Sequence, residues 1–501
     1  MSNANKFFCI SLLASLLVKV VFAAVVPITG DEAYFVLWGK NPDFGYYDHP
    51  PMIGWILSLL LIVGDSELLL RTPAITATTI IALLIWRLLK NHNATQAALL
   101  ASLYLWAPVN LFAGFLVTTD TPLMLFSVLS ALCFYKATIS DDRRLYYLLA
   151  GLFLGAAFLS KYFAVLLGLS YLCYILFFRR QRKAFKGLLI VVLAALPFVL
   201  LNLYWNYCHC WNNILFNLMN RNSNEPFSAL HPALYGVLLL YLLTPLLPYY
   251  LLREHTGLWT RIRDSRLMIF SGFFMVPLAV FALLSLKKTI GLHWLLAFYP
   301  FLFIALCGLL SNRRLIALLK FMIPFSALHL LAVAVLLLLP PSIFSSNPVL
   351  YKTLLMSAHP EQTRQALQPW AKTYHFATES YVRSAILAYY TDQPVMVIGN
   401  GSKHARQDDL LTDLRLLQGE NILIFAREAI APEAYKSYFE QLTAEEITID
   451  GVTFPVLLGQ GFRYEPYRDS ILTEVKARFY NIPEFLPYGA CYFLQRYFPS
   501  Q

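Results

Sequence analysis

The sequence predicts a polytopic α-helical membrane protein of about eleven transmembrane helices followed by a small soluble α/β domain. Three observations carry that prediction: a hydrophobic, charge-poor composition, a succession of apolar runs close to span length, and a change of character after residue 341. The 501 residues are 58% hydrophobic, 15% aromatic and only 14% charged, with a mean hydropathy of +0.57. A soluble domain carries about 25% charged residues, so the composition points to the membrane class. The chain is best divided among helices of about 20 residues, the length that crosses roughly 30 Å of hydrocarbon.

Taken in order, the first apolar run covers 7–26 behind Lys6. It reads as a retained span rather than a signal peptide, because it is long for a signal core and more spans follow. Further runs lie near 66–86, 96–115, 120–138, 145–160, 162–178, 187–205, 232–252, 267–286, 293–311 and 315–340. The two runs flanking Ser160-Lys161 are short, so the chain is expected to turn back there, with the Lys161 stem reaching headgroup level.

The loop charges orient these runs. Residues 1–341 hold 25 basic and 12 acidic side chains, a net +13, whereas residues 342–501 hold 14 and 17, a net −3. With a cytoplasmic N-terminus, one side receives Arg87/Lys90, Arg143/Arg144, the Arg179–Lys186 cluster, Arg253/Arg261/Arg263/Arg266 and Arg313/Arg314. That is the pattern the positive-inside rule demands. The other side receives Asp31, Glu32, Asp43, Asp48, Asp65, Glu67, Asp120 and Glu225, and an odd span count adds residues 342–501 to it. The basic excess is therefore loop charge that sets topology, and no nucleic-acid module is present.

From about Pro340-Pro341 charge rises and apolar runs shorten. Strands are expected at 395–398, 421–425 and 447–457, and helices near 359–370 and 432–442. The domains are thus 1–341 and 342–501. Gly399-Asn400-Gly401-Ser402-Lys403 lacks phosphate-loop spacing and reads as a turn. The seven cysteines suggest no disulfide framework and no zinc spacing. Cys208-His209-Cys210 is the one cluster, read as neighbouring thiols at an interface in preference to a metal or redox site.

The first outer loop concentrates chemistry. Asp31-Glu32 follow the first run directly, and Asp48-His49-Pro50-Pro51 stand about seventeen residues on. Asp120 opens the fourth run. Acidic side chains contribute little to orientation, which weakens the reading of these as topology signals. Asp31-Glu32-Ala33-Tyr34, Asp48-His49-Pro50-Pro51 and Thr118-Thr119-Asp120-Thr121-Pro122-Leu123, in this order and on this topology, resemble bacterial glycosyltransferase family 39 of the GT-C superfamily. That family includes protein O-mannosyltransferases and the aminoarabinose transferase of lipid A. The similarity extends more loosely through Leu159-Ser160-Lys161-Tyr162, 202–221 and His293-Trp294, and 379–390 is similar to a segment common in relatives.

The resemblance implies transfer of a sugar from a polyprenyl phosphate, usually undecaprenyl phosphate, to a cell-envelope acceptor on the outer face, generally with inversion. It implies that Asp31 is the base or acceptor-positioning residue and that Asp120 is the second outer acid; Glu32, beside Asp31, is a further catalytic candidate from its position in the loop. In lipid A transferases the position of His49 is often Lys, so the Asp48-His49 pair departs from that pattern and leaves the acceptor class open.

The chemistry stands beside the resemblance. Displacement at an anomeric carbon passes through an oxocarbenium-like state, and a carboxylate both takes the acceptor proton and stabilises the positive charge. The phosphate leaving group is a weak base that needs cations more than an acid. Lys161, Arg221, Lys287, Lys288 and His293 are the outer-face candidates, with Asp48 and His49 beside them as substrate-binding residues. No ligand set for a metal is evident, and a divalent ion between Asp31, Glu32 and Asp120 stays open as an alternative. Tyr34, Tyr46, Tyr47, Trp55, Trp205, Trp211 and Trp294 gather toward the same face, mostly as interface belt. The rival readings are a lipid flippase or transporter, favoured only by Lys19 within the first run, and a structural envelope subunit, which leaves the loop acids idle.

Overall fold

A computed structural model describes residues 3–140, 143–220, 227–253, 257–264, 267–358, 360–401, 404 and 406–499. The chain forms two compact units, each assembled from separated segments. Unit 1 comprises Met1–Val25, Val63–Asn202 and Asn224–Val333; unit 2 comprises Val26–Ile62, Leu203–Ser223 and Ala334–Gln501. The last stretch thus enters unit 2 a few residues before 342, and the first outer loop and residues 203–223 join it there.

Unit 1 is helical. Among the described residues, six helices are long and apolar enough to cross a membrane: Asn3–Val25, Glu67–Leu89, Asp120–Ile139, Arg182–Cys208, Met268–Ser285 and Asn312–Leu338. The pair Leu230–Leu243 and Leu246–Arg253 makes a seventh if its 89° bend is one broken span. The other expected runs are helical but interrupted. Ala107-Pro108 splits Ala94–Trp106 from Pro108–Phe112, since proline is suited to a helix start and removes a backbone donor. Arg144–Phe158 and Ala164–Phe178 are 15 residues each, and the chain reverses between them at Ser160-Lys161.

The helix Ala94–Trp106 is the hub of this unit. Every residue from Gln96 to Leu105 is buried, the signature of a helix with neighbours on all sides. Its Gln96 side chain donates to the Leu310 carbonyl (3.0 Å) and accepts from the Gly308 N–H (2.7 Å). Lys19, the feature that pointed toward transport, lies fully buried and donates to Thr78 Oγ1 (2.9 Å).

Unit 2 contains the α/β domain. Its five strands are β1 (His375–Thr378), β2 (Val395–Val397), β3 (Ile422–Phe425), β4 (Phe439–Ile449) and β5 (Val452–Phe462), in the order β2-β1-β3-β5-β4. The first three are parallel and β5 and β4 add antiparallel. The helix Tyr381–Thr391 connects β1 to β2, as a parallel crossover requires. Alternation sorts the two faces. Ala377, Met396, Ile422, Ile424 and Leu457 enter one core, and Phe376, Val395, Leu423, Phe425 and Val456 the other.

Two expectations are corrected here. The run 447–457 is a hairpin rather than one strand. Asp450 and Gly451 both take positive φ (48° and 76°), the conformation an Asp-Gly pair readily adopts in a two-residue turn. The stretch 432–442 is two short 3₁₀ turns running into β4, because Pro432 starts a turn and the β5 ladder captures the residues that follow. The cysteine reading is corrected too: Cys210 is disulfide-bonded to Cys491, 281 residues away. A separation this long leaves no local spacing to read. In the turn 399–403, Gly399 and Gly401 have positive φ, while Ser402 and Lys403 lie outside the described residues.

Candidate active site

In unit 2 the first outer loop folds as a helix, Gly30–Lys40, whose start is built locally. Thr29 is its N-cap, with the Glu32 N–H donating to Thr29 Oγ1 (3.3 Å) and the Thr29 N–H donating to Glu32 Oε2 (3.0 Å). This reciprocal capping box uses the Glu32 carboxylate, which is buried. Of the two adjacent acids, Glu32 therefore anchors the helix and Asp31 points outward, exposed.

Asp31 is nonetheless held. The Tyr381 hydroxyl donates to Asp31 Oδ1 at 3.1 Å. Tyr381 begins the helix Tyr381–Thr391, which lies against Gly30–Lys40; Val382 occupies the space that a side chain at position 30 would fill, so glycine permits the approach. The Ile28 N–H donates to Tyr390 Oη (3.3 Å), and Lys40 pairs with Asp392 (2.9 Å) at the far end. Burial, and then the nearby Asp31 charge, push the Tyr381 hydroxyl above its ordinary pKa, so it stays a donor.

A second hydrogen-bonded pair lies alongside. Tyr34 is packed edge-on to Tyr381 (5.3 Å between centroids), and its hydroxyl donates to Asp48 Oδ1 (3.1 Å) and accepts from the Gln407 N–H (3.4 Å). Burial raises the Tyr34 hydroxyl well above its ordinary range, with the Asp48 charge adding to it. Asp48 is thus a buried acceptor in a polar network. His49 is half-buried, its ring edge-on to Phe35 (6.4 Å) and tilted over Trp38 (6.1 Å), and its carbonyl accepts from the Tyr46 N–H (3.0 Å). Trp38 and Tyr46 stack at 4.4 Å. Asn213 donates to the Tyr46 carbonyl (2.8 Å) and Asn217 to the Asp48 carbonyl (3.0 Å), which fixes the loop against 203–223. The disulfide secures that segment: Cys210 joins Cys491, next to His209, which stacks on Trp205 (4.3 Å).

In unit 1, Asp120 is the first residue of Asp120–Ile139, where the helix dipole favours negative charge. Lys161 stands at the reversal between the two short helices. Both are buried, and the Lys161 ammonium donates to Asp120 Oδ2 (2.8 Å) and Oδ1 (3.0 Å). The same ammonium lies 5.3 Å from the centre of the Phe163 ring. The acid and the cation expected to serve separately are committed to each other. Phe163, Phe281 and Trp294 form an aromatic cluster beside them, with Phe163 and Trp294 at 4.9 Å. Exposed His293 neighbours Trp294; a side chain at Gly291 would lie 2.7 Å from the His293 ring. Lys287 is exposed and Lys288 half-buried just beyond Met268–Ser285. Arg221 lies outside the described residues.

The sequence reading missed Tyr381, Tyr34 and Gln407 as partners of the loop acids, although the segment holding Tyr381 was the one marked by its similarity to relatives. Among the described residues, no three His, Cys, Asp or Glu side chains form a group that could hold a metal ion. The Glu32 carboxylate is engaged by Thr29.

Residues 48–205 match the family model described as dolichyl-phosphate-mannose-protein mannosyltransferase. The lipid A galacturonosyltransferase RgtD of Rhizobium johnstonii is 28% identical over 184 residues, 36% of this chain and 38% of that protein. The chain therefore aligns with well under half the length of that curated relative. Two crystal structures of ArnT from Cupriavidus metallidurans share the fold. The apo form superimposes with a TM-score of 0.64 over 91% of this chain and 98% of that one, at 16% identity. The form bound to undecaprenyl phosphate gives 0.63 over 90% and 97%, also at 16% identity. The resemblance to GT-C glycosyltransferases of family 39 is thus borne out, and the fold is a multi-pass helical unit with a small C-terminal sheet domain.

Proposed function

We propose that this chain is a membrane glycosyltransferase that moves a sugar from a polyprenyl-phosphate carrier to lipid A, another glycan or a protein of the bacterial envelope, with inversion. The observation that carries the reading is Asp31, an exposed carboxylate in the first turn of a capped helix, oriented by the Tyr381 hydroxyl. The relatives point the same way: one is named a lipid A galacturonosyltransferase, and an ArnT structure holds undecaprenyl phosphate.

In this reading Asp31 takes the proton of the acceptor hydroxyl as that oxygen attacks the anomeric carbon. The bond from that carbon to the carrier phosphate breaks, and the phosphate departs with its electron pair. Tyr381 holds the carboxylate in line and hydrogen-bonds its charged form. Lys287, Lys288 and His293 are the cations assigned to the leaving phosphate, with Arg221 a further candidate; Lys161 is already engaged. Asp48 and His49 are assigned to substrate binding, with Asp48 held by Tyr34. The domains are taken as the membrane part to residue 341 and the sheet domain after it.

We also assign unit 2 to the periplasmic side of the inner membrane. Disulfides such as Cys210–Cys491 persist in oxidising compartments, and every short basic cluster falls on the opposite side of the span count. A reporter fused after Gln501 that works only in cytoplasm would overturn this orientation.

The test of activity is transfer from radiolabelled undecaprenyl-phosphate sugars to envelope fractions, in membranes holding wild type or Asp31→Asn. Loss of a general base lowers the rate by about 10²–10⁴-fold. Label entering lipid or protein only with wild type supports the reading and identifies the acceptor class. Full turnover by the variant removes Asp31 from the reaction, and no transfer from any donor by folded wild type returns the weight to transport.

A further inference from the structure

Unit 1 holds a cavity that the glycosyl-transfer reading does not use. It measures about 560 Å³ and lies at the C-terminal ends of Glu67–Leu89 and Asp120–Ile139. Its polar rim is Arg87, Lys90, Asn91 and Lys136, and its walls include Leu88 and Leu132. The spacing explains the convergence. Positions 84, 87, 88 and 91 share one face of the first helical stretch, and 129, 132, 133 and 136 share one face of the second.

No carboxylate lines this cavity among the described residues, and none is ion-paired there with Arg87, Lys90 or Lys136. Lys90 lies 4.8 Å from the centre of the Trp86 ring and Lys136 lies 5.8 Å from that of Tyr146; these contacts hold the ammonium groups without neutralising them. The ordinary role of such cations is to complement the helix dipoles. Two helix C-termini present a total of about one negative charge, while three cations supply three positive ones. The excess of about two positive charges is an anion site, and its leucine walls are half-exposed.

We propose that this cavity binds an anionic glycerophospholipid, its phosphodiester among Arg87, Lys90, Asn91 and Lys136 and its acyl chains along the leucine walls. A free inorganic anion satisfies the rim but leaves the walls unused, which is why a lipid is the occupant. Basic pockets between helices at the cytoplasmic end are suited to anionic headgroups. The orientation proposed above puts the C-terminal ends of both helices, and the cavity with them, at that end.

The experiment uses the full chain reconstituted in phosphatidylcholine vesicles doped with photoreactive phosphatidylglycerol, with cross-linked peptides mapped by mass spectrometry. The expected result is labelling within 84–91 and 129–136 that excess phosphatidylglycerol displaces and excess phosphatidylcholine or glycerol phosphate does not. Each cation near the surface contributes about a five-fold preference. R87Q/K90Q/K136Q should therefore lose labelling at least ten-fold, whereas R87K/K90R/K136R retains it. K136Q alone, the mildest change, should lose about five-fold. Equal labelling of wild type and the neutral triple variant overturns the proposal. So does displacement by phosphatidylcholine, or displacement by glycerol phosphate alone, which would make the ligand a free anion.

Discussion

Asp31 and Asp120 occupy the same local position, the first turn of a helix, and the two units treat them in opposite ways. In unit 1 Asp120 is buried and its carboxylate is closed off by a lysine at 2.8 Å. In unit 2 Asp31 faces solvent and receives one neutral hydroxyl at 3.1 Å. A buried charge must be matched by an opposite charge, because its desolvation costs several kcal/mol. An exposed one needs only orientation, and its second oxygen stays available to a substrate. Local sequence sets both carboxylates at helix starts; their surroundings bury one against a cation and leave the other exposed beside a hydroxyl.

The sharpest way to break this comparison is to remove Lys161. Lys161→Met leaves Asp120 buried and uncompensated, and thermal unfolding in detergent should register a loss of about 3–5 kcal/mol. Asp120→Asn/Lys161→Met should recover most of it. An unchanged melting temperature together with abolished transfer would move the pair from structure to chemistry.

Next in size is the clamp behind the Asp31 loop. Cys210→Ser/Cys491→Ser should cost unit 2 about 2–5 kcal/mol, because the cross-link removes freedom from the unfolded chain. Protease resistance of residues 334–501 with and without reductant reads this, and equal resistance would mean that hydrogen bonds such as those of Asn213 and Asn217 hold the loop without the cross-link.

A smaller effect is expected at Tyr381→Phe. A hydrogen bond to a charged group contributes about 1.5–3 kcal/mol, so turnover should fall about 10–100-fold with melting unchanged. A fall in stability matching the fall in rate would make Tyr381 a packing residue only.

The smallest effect concerns a third way of keeping a carboxylate. Asp408 in unit 2 accepts from the Val397 N–H (2.9 Å) and Thr412 Oγ1 (3.1 Å), and burial pushes its pKa up to about 7. A carboxyl group raised on folding contributes stability that is complete below its unfolded pKa near 4 and is lost as pH rises through about 7. Asp408→Asn should flatten this slope and gain on the order of 1 kcal/mol over wild type at alkaline pH, a figure that allows for water at its half-exposed side chain. Parallel pH dependence in the two proteins would show that Asp408 is ionised throughout.

Much of the molecule was legible in its sequence. Composition and apolar runs disclose a helical membrane protein because a lipid-facing helix must be apolar along its length. The motifs around Asp31, Asp48 and Asp120 stand out because their spacing is local. The capping box is equally local, and Thr29 three residues before Glu32 signals it. What the chain order hides are pairings across distance. Tyr381 meets Asp31 350 residues away, Cys210 meets Cys491 across 281, and Lys161 meets Asp120 across 41. Each depends on which elements pack together, which is decided by complementary surfaces and not by any single segment. The sequence by itself determined the class of molecule, the helix starts and the acids that occupy them. Only the tertiary structure decided which acid is buried against a cation and which is exposed beside a tyrosine, because burial and partnership are properties of the packed chain.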